Sequence, residues 1–372
     1  MANKYGDVIG VAVLAVAVLL IGLFQVFQPG GATFGDLTGG IVTFSTMVRI
    51  GILTIVIVGL NMLMGYAGQI SLGQAAFYGM GAYASAVFST RPELFGLPES
   101  LVAMWWWPWV VILAAMGFTG LFAYLVGRPI LRLKGHYLAM ATLGLGIMVY
   151  ILFRENFGFR TTETNITGGY DGLFDVPRLA IGGFSLWPVE RYYFFVWAIA
   201  LIVIVLAMNM VKSRPGRALR AIHSSEIAAE TMGVDTASFK VQVFVISAVF
   251  ASLAGSLYAH FQAAVSPAPF SFEGSLDLVV MAAVGGMASV WGAPFGVATI
   301  LVLEDLLRAR LDLIFEGASG EIEVIVFGGL RVLIMIFMPE GVFVGIRNRI
   351  NAWREERAGA AGDALPEQGA AK

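Results

Sequence analysis

The chain alternates between long apolar runs and shorter polar connections. A helix needs about 20 apolar residues to cross the ~30 Å hydrocarbon core of a bilayer, and most of the runs approach that length. Together they predict an all-α integral membrane protein. The predicted membrane-embedded segments are residues 8–27, 41–64, 70–88, 105–126, 137–153, 192–211, 241–261, 276–307 and 322–338.

The run at 276–307 contains Gly285, Gly286, Gly292 and Pro294. Glycine and proline at this density interrupt a helix, and in a membrane the freed backbone groups must be covered by protein or face a water-filled cavity. Two segments in place of one also keep the basic C-terminal end on the same side as the other basic loops. We therefore predict about ten membrane-embedded helices, including broken or re-entrant segments, with the N- and C-termini both cytoplasmic.

Residues 212–240 form a polar, basic island between two apolar runs. Its centre is rich in helix formers and stops at Gly233, which predicts one or two short helices outside the bilayer. The positive-inside rule places this island and the basic loop 128–136 in the cytoplasm. Because a connection of this length with its own helical pattern is unusual, we expect the segment to dock a partner.

Composition supports a membrane protein and narrows its chemistry. The chain is 58% hydrophobic and 13% charged, against roughly 25% charged residues in a soluble domain. A formal charge of −2 gives no reason to expect nucleic acid as a partner. The chain has no Cys, its three His residues lie far apart, and it contains no phosphate-binding Gly-x-x-x-x-Gly-Lys motif. We therefore expect no catalytic residues, no metal site and no ATP hydrolysis by this chain itself.

A second informative stretch covers residues 61–83. Its glycines recur at a regular helical spacing, which lets neighbouring helices approach closely. It also carries neutral polar side chains where a helix break is predicted, as in a polar pathway at a discontinuous helix. Close packing and a pathway both stay open as explanations. The glycines are Gly65, Gly73 and Gly81, and the polar residues are Asn61, Gln69, Ser71 and Gln74.

The two predicted breaks lie in opposite halves of the chain, which is typical of a transporter built from an internal repeat. Two arginines, Arg49 and Arg331, also lie within apolar runs. A buried arginine is costly in a bilayer, so each either extends to the interface or faces a polar interior, and we favour the interface. The candidate residues of a pathway or helix break are Asn61, Gly65, Gln69, Ser71, Gly73, Gln74, Gly285, Gly286 and Gly292.

Residues 61–83 resemble the signature Asn-x-x-x-Gly-Tyr-x-Gly-Gln-x-Ser-Leu-Gly-x-Ala-x-Phe of the permease subunits of branched-chain amino-acid ABC transporters. The Thr-Gly-Gly cluster that begins at Thr167, in a loop predicted to be external, and the chain length resemble the longer of the two permease types of that family. The resemblance extends over roughly residues 40–345. Further blocks that resemble the same family, in the same order, are 133–144, 167–172, 216–233, 266–267 and 285–292.

The resemblance implies a subunit of a heteromeric importer that moves leucine, isoleucine and valine across the bacterial inner membrane. Its implied partners are a second, homologous permease subunit, two cytoplasmic ATPase subunits that hold ATP and Mg²⁺, and a periplasmic substrate-binding protein, besides membrane lipid. No cofactor is then bound by this chain. The permease domain is expected at residues 1–345, and the polar, Ala- and Gly-rich residues 346–372 are expected to form a partly disordered cytoplasmic tail.

The resemblance also gives residues 212–240 a role as the coupling helix that docks in a cleft of an ATPase subunit. In the general importer pattern Glu-Ala-Ala-x-x-x-Gly, Ile227 occupies the position of the Glu, and Glu226 lies one residue earlier. Retention of basic residues on the cytoplasmic side explains the arginines of this segment equally well. The candidate docking residues are Arg217, Arg220, Glu226, Ala228, Ala229 and Gly233.

Two other functions compete with this one. A permease subunit of a urea or short-chain amide importer has a very similar scaffold and is the alternative within the class. A self-sufficient secondary transporter is the alternative from a different class. It requires membrane-embedded acidic or ion-coordinating residues, which the predicted spans nearly lack.

Overall fold

The structure, a computed structural model, describes residues 2–28, 33–96, 98–158, 166–287, 289–314, 326–329 and 332. α-Helices account for most of these residues. In chain order they are α1 (Ala2–Phe27), α2 (Phe34–Leu37), α3 (Phe44–Asn61), α4 (Gln74–Thr90), α5 (Glu99–Val102), α6 (Trp107–Ile130), α7 (His136–Arg154), α8 (Val189–Lys212), α9 (Arg214–Ser224), α10 (Glu226–Thr231), α11 (Thr236–Gln262), α12 (Phe272–Gly285) and α13 (Gly292–Ile314).

Polar residues at the ends of the apolar runs start the helices. The Asp235 carboxylate accepts a hydrogen bond from the Ser238 N–H at 3.1 Å and begins α11. The Ser271 hydroxyl accepts one from the Gly274 N–H at 3.4 Å and begins α12. Such caps satisfy backbone N–H groups that the helix itself leaves without partners.

Six of the described helices are long and apolar enough to cross a membrane: α1, α3 with the turn that follows it, α6, α7, α8 and α11. Helices α4 and α12 have 17 and 14 residues, which correspond to about 26 and 21 Å, less than the ~30 Å of a bilayer core. Short helices of this kind agree with the prediction of broken or re-entrant segments. The predicted run 70–88 starts before α4 because residues 67–73 belong to a break.

Helix α11 lies at the centre of the bundle. It packs most extensively against α4 and also lies against α3 and α6. In the most apolar part of the span Phe44–Tyr66, which contains α3, 78% of the residues are buried, whereas in the α1 span the share is 17%. Helix α3 also packs against α8 and α13, and α12 packs against α13. The core therefore lies between α3, α4 and α11, and α1 is peripheral.

Two short antiparallel ribbons are the departure from the all-α prediction. Strand β1 (Leu173–Phe174) pairs with β4 (Ala264–Val265), and β2 (Ala180–Ile181) pairs with β3 (Phe184–Ser185). Each strand has two residues, so the fold class stays helical. The β1–β4 pair fixes the long connection after α7 to the end of α11.

Several predicted features lie outside the described residues. They are most of the segment 322–338, including Arg331, and the tail 346–372. The total of about ten membrane-embedded helices and the cytoplasmic location of both termini therefore stay predictions.

Candidate functional site

The first candidate feature is the break between α3 and α4. Helix α3 ends at Asn61, Met62–Tyr66 form a π-helical turn, and the chain then continues without a helix as far as Gln74. Gly68 has a φ of +67°, a conformation that L side chains rarely adopt. The helix break that the sequence predicted in this stretch is confirmed.

The second feature is the break between α12 and α13. Helix α12 ends at Gly285, Gly286 has a φ of +96°, and α13 begins at Gly292. A Cβ atom added to Gly285 would overlap the Gly292 carbonyl, and one added to Gly292 would overlap the Gly285 carbonyl. The two short helices thus meet backbone to backbone, which only glycine permits. The predicted break is confirmed between Gly285 and Gly292, whereas Pro294 and Gly296 lie within α13.

The two breaks meet in space. The Asn61 side-chain Nδ2 donates a hydrogen bond of 2.9 Å to the Ser289 backbone carbonyl, and Asn61 is fully buried. These residues stand 228 positions apart in the chain. The sequence placed the breaks in opposite halves, and the fold brings them into one junction.

The polar residues of the first break are buried around this junction. Asn61, Gln69, Ser71 and Gln74 are each 3% exposed or less. The Gln74 Nε2 donates to the backbone carbonyl and the hydroxyl of Ser247 on α11, at 3.1 and 3.0 Å. Gln74 therefore attaches the start of α4 to the central helix.

Other polar atoms of the same residues have no protein partner. A buried polar group without a hydrogen bond costs about 1–3 kcal/mol, so such atoms normally face water, a ligand or another protein. The junction thus offers neutral donors and acceptors in a buried place. Among the described residues, the buried atoms without a hydrogen-bond partner include Asn61 Oδ1, Gln69 Oε1 and Nε2, Ser71 Oγ and Gln74 Oε1.

The third feature is the polar segment between α8 and α11, which folds into α9 and α10. The Ser225 hydroxyl accepts a hydrogen bond of 3.3 Å from the Ala228 N–H and begins α10. Gly233 ends it with a φ of +81°, donating to the Glu230 carbonyl at 3.0 Å, while the Val234 N–H donates to the Ala229 carbonyl at 3.0 Å. This pair of bonds is a Schellman motif. The predicted helix closed by Gly233 is confirmed.

Comparison with known proteins decides the family. Residues 42–338 match the family model described as branched-chain amino acid transport system / permease component. The high-affinity branched-chain amino acid transport system permease protein LivM of Escherichia coli (strain K12) is 31% identical over 326 residues, which cover 82% of this chain and 70% of LivM.

The chain belongs to this permease family. LivH of the same E. coli strain is 24% identical over 292 residues, which cover 77% of this chain and 90% of LivH. A probable LivM permease of Methanocaldococcus jannaschii is 24% identical over 323 residues, covering 78% and 90% of the two chains. No solved structure matches the chain.

The family confirms the resemblance that the ordered motifs indicated, including the longer permease type. The permease is a transport subunit and not an enzyme, and the family together with the six spans confirms a multi-pass protein of the inner membrane. The relatives named here are branched-chain amino-acid permeases, which favours that class over the urea or amide alternative and over a secondary transporter.

In the permease, Glu226 lies against its own membrane domain. Its carboxylate forms an ion pair with the buried Lys240 on α11. The second carboxylate oxygen lies 3.9 Å from the Lys134 ammonium in the loop between α6 and α7. The sequence placed Glu226 among the docking residues. The structure gives its carboxylate a position that anchors α10 to two neighbouring elements.

Ile227 and Met232 project from α10 into solvent and are 72% and 84% exposed. With the exposed Ala228 and Thr231 they form one stripe at helical spacing, which we call the docking face. Large apolar side chains grouped on an exposed face make it a candidate contact surface. Sequence reasoning missed both residues, because it treated Ile227 only as a departure from the Glu of the importer pattern.

The remaining docking candidates divide by exposure. Arg217 and Arg220 on α9 are exposed, as is Ala228 on α10. Ala229 is 3% exposed and faces the protein, so its side chain is not part of the docking face. Gly233 shapes the end of α10 through its backbone.

Helix α9 also contacts the first break. The His223 Nδ1 lies 3.1 Å from the Gly65 carbonyl oxygen, at hydrogen-bond distance. A Cβ atom on Gly68 would lie 3.3 Å from the His223 ring. Sequence reasoning left His223 without a role, since nothing in the sequence shows which turn of another segment it approaches. Gly65 thus serves as a contact point between the polar segment and the junction.

Gly73 fills a third structural role at the break. It precedes α4, and a Cβ atom there would overlap the Thr142 backbone carbonyl of α7. The Thr142 hydroxyl in turn accepts a hydrogen bond from the Leu72 N–H at 3.1 Å. Close helix approach, one of the two explanations left open by the sequence, is confirmed at this position.

Proposed function

We propose that the chain is a membrane-spanning subunit of an ABC importer that moves branched-chain amino acids across the inner membrane. Its partners are a second, homologous permease subunit, two cytoplasmic ATPase subunits and a periplasmic substrate-binding protein. ATP and Mg²⁺ are held by the ATPase subunits, because the chain carries no phosphate-binding loop of its own. Family membership and the printed functions of the relatives support the substrate class.

The observation that carries the coupling to ATP is the docking face. Ile227 and Met232 present apolar surface on a helix whose two ends are fixed by Ser225 and Gly233. A short rigid helix with an apolar exposed side fits a groove on a partner protein. We assign that groove to an ATPase subunit. Arg217 and Arg220 are exposed on the neighbouring helix α9 and contact acidic groups of the ATPase or lipid headgroups in this proposal.

Three contacts carry the movement of the docking face into the membrane domain. Glu226 joins α10 to Lys240 on α11 and to Lys134 in the loop between α6 and α7. His223 joins α9 to Gly65 at the first break. When ATP closes the ATPase dimer, the docked segment moves as a rigid body and shifts the bundle between inward-open and outward-open states.

The junction of the two breaks forms part of the translocation pathway in this proposal. Asn61, Gln69, Ser71 and Gln74 supply neutral hydrogen-bonding groups that a zwitterion can pass without being trapped by a fixed charge. Gly285 and Gly292 let the end of α12 and the start of α13 approach closely, and Gly286, with its positive φ, lets the chain turn between them. Discontinuous helices at a pathway leave the backbone groups around the site available for a substrate.

The test uses a strain that lacks the gene, complemented with wild type or with Ile227→Asp/Met232→Asp. Wild type is expected to restore uptake of radiolabelled leucine, isoleucine and valine. The double variant is expected to lose uptake and to copurify at least about tenfold less ATPase, because two carboxylates in an apolar groove carry a large desolvation penalty. Its level in the membrane should stay unchanged.

Ile181→Asp is the matched control, since Ile181 is also an exposed apolar residue and lies in the β2–β3 ribbon that precedes α8, whereas α9 and α10 follow the opposite end of α8. It should leave copurification intact. Normal ATPase copurification by the double variant would refute the docking assignment. Restoration of urea uptake, with no effect on leucine, would replace the substrate class by the urea or amide alternative.

A further inference from the structure

A cavity of about 230 Å³ lies at the end of the bundle away from residues 212–240, which we call the coupling segment. Its wall includes Arg49, on the sixth residue of α3. Gly65, the residue in contact with His223 of the coupling segment, lies 16 residues further along, or about 24 Å of helix. The cavity therefore faces the side from which an importer receives its substrate. Its volume suits a ligand of amino-acid size rather than a drug-sized one.

Charged side chains from three helices meet in this cavity. Besides Arg49, they are Glu273 and Asp277 on α12 and Glu304 on α13. Glu273 and Asp277 are four residues apart and so share one face of α12. Arg49, Asp277 and Glu304 are half-buried. Arg49 therefore faces a polar interior, which is the alternative to the interface position that the sequence favoured.

The apolar part of the cavity lies deeper along the same helices. Ile52 on α3, Leu278 and Met281 on α12, and Leu301 on α13 line it, and each is 4% exposed or less. Ile52 follows Arg49 by three residues, and Met281 follows Asp277 by four, so each apolar residue stands about one helical turn below a charged one.

Helix α13 keeps the same order although it runs the other way. The Thr46 hydroxyl near the start of α3 donates a hydrogen bond of 2.7 Å to the Asp305 carboxylate. This contact sets Glu304 level with the charged turn of α3, and Leu301 lies one turn deeper. The cavity therefore has a charged end and an apolar end, each built from α3, α12 and α13.

We propose that this cavity binds the substrate as a zwitterion, with Arg49 holding its carboxylate, Asp277 and Glu304 holding its ammonium group, and the apolar end taking its branched side chain. The assignment rests on the proposed function and specifies where this chain first holds the transported molecule. A guanidinium matches a carboxylate with two parallel hydrogen bonds. Among the described residues of the wall, the guanidinium and the carboxylates supply the two opposite charges that a zwitterion requires.

The test uses the intact importer, copurified through a tag on this chain and placed in lipid nanodiscs. It is labelled with a leucine analogue that carries a photoreactive diazirine in its side chain, and mass spectrometry maps the labelled residues. Wild type should be labelled at the apolar end, on residues such as Ile52, Leu278 and Met281, and leucine should compete. Labelling elsewhere only, or competition by Na⁺ in place of leucine, would overturn the proposal.

Two variants separate the charged contacts. Arg49→Gln should raise the leucine concentration needed for half-maximal competition by about tenfold or more, the size expected for a charge-assisted hydrogen bond. It should not change competition by 3-methylbutylamine, which lacks the carboxylate. Asp277→Asn should weaken competition by leucine to a similar extent. It should leave competition by 4-methylpentanoate, which lacks the ammonium group, unchanged. Arg91→Gln, outside this cavity wall, should behave as wild type.

Uptake in cells distinguishes failure of this proposal from failure of the proposed function. If wild type does not restore leucine uptake, the proposed function fails. Suppose instead that wild type restores uptake. If Arg49→Gln and Asp277→Asn then change neither the KM of leucine uptake nor the competition pattern, the cavity assignment alone fails. If a variant does not assemble, two other results test the cavity assignment. One is the map of labelled residues in wild type, and the other is the conservative variant Arg49→Lys, for which we expect competition by leucine between that of wild type and that of Arg49→Gln.

Discussion

Glycine positions let the central helices of the permease touch through their backbones. A Cβ atom on Gly81 of α4 would overlap the Ser252 carbonyl of α11, and one on Gly255 of α11 would overlap the Tyr78 carbonyl of α4. The Ser256 hydroxyl also donates a hydrogen bond of 3.2 Å to the Gly81 carbonyl. Contacts this close leave no room for sliding, so α4 and α11 move together when either is displaced.

Gly81→Ala should destabilise the permease by about 1–3 kcal/mol, because one added methyl group forces two backbones apart. The measurement is the melting temperature of the purified importer, together with its amount in the membrane. Gly117→Ala is the matched control, since it is also a helical glycine but has no described atom within 4 Å of the added Cβ. Equal melting temperatures for the two variants would contradict backbone contact at Gly81.

Exposure also separates residues that the sequence grouped together in the coupling segment. Ala228 and Ala229 are chemically identical neighbours, yet Ala228 is exposed and Ala229 is buried. Glu226 matched the importer pattern approximately, but its carboxylate pairs with Lys240. Ile227 appeared as a departure and instead forms part of the docking face. A motif gives the residue types, whereas the orientation of each side chain depends on what the helix packs against.

At the scale of elements, polar contacts join the segment 212–240 to different parts of the membrane domain. Helix α10 is joined to α11 through the Glu226–Lys240 ion pair, and α9 is joined to the first break through His223. The side chain of Lys240 is 9% exposed and that of Glu226 is 24% exposed. A pair this sheltered is screened little by solvent ions.

Glu226→Gln should leave Lys240 as a sheltered charge without its partner, and loss of one member of a buried pair typically destabilises by about 3–5 kcal/mol. Since Glu226 is partly exposed, we expect the lower part of that range or less. ATPase copurification should persist while leucine uptake per ATP hydrolysed falls several-fold. The docking face is intact in this variant, so the measurement isolates the transmission of movement.

Lys240→Met and the double variant Glu226→Gln/Lys240→Met complete a double-mutant cycle on the Glu226–Lys240 ion pair. Because the double variant removes both charges, it should recover stability relative to either single variant. Strictly additive effects on melting temperature and on coupling would show that the two side chains do not act as a pair.

At the scale of the whole molecule, the Asn61–Ser289 hydrogen bond joins the two broken segments in one junction, and the contact between Gly285 and Gly292 closes the second of them. Helix α3 belongs to this junction at its end, and its start lines the outer cavity through Arg49. Helix α3 and the π-helical turn that follows it thus connect the cavity, the junction and, through Gly65, the segment that carries His223. A bundle arranged in this way can change access on one side while it responds on the other.

Asn61→Leu should separate transport from assembly. It preserves side-chain volume but removes the hydrogen bond to Ser289, so the expected loss of stability is only about 0.5–1.5 kcal/mol. Leucine uptake should fall at least several-fold, while ATPase copurification stays at the wild-type level. Thr54→Val is the matched control, because Thr54 is equally buried on α3 and its hydroxyl donates to the Ile50 carbonyl of its own helix. Equal uptake by the two variants would contradict a role for the junction.

Much of the architecture follows from local sequence. Apolar length predicted the spans, Gly233 predicted the end of α10, and the glycines at 285–292 predicted the second break, since each feature depends on residues adjacent in the chain. The acidic residues of the cavity were not anticipated, because Glu273 lies just before the predicted segment 276–307 and Asp277 and Glu304 lie near its ends, where they resemble loop charges. Their position beside Arg49 depends on how α3, α12 and α13 pack.

The sequence by itself determined a helical membrane protein with interrupted helices and short helices in the polar segment 212–240, because length, hydrophobicity and glycine act locally. The tertiary structure alone decided which distant groups meet: Asn61 with Ser289, His223 with Gly65, and Glu226 with Lys240. It also decided that Ile227 faces solvent and that Arg49 faces a cavity. These facts depend on the relative rotation and depth of packed helices, which the order of residues along one helix does not specify.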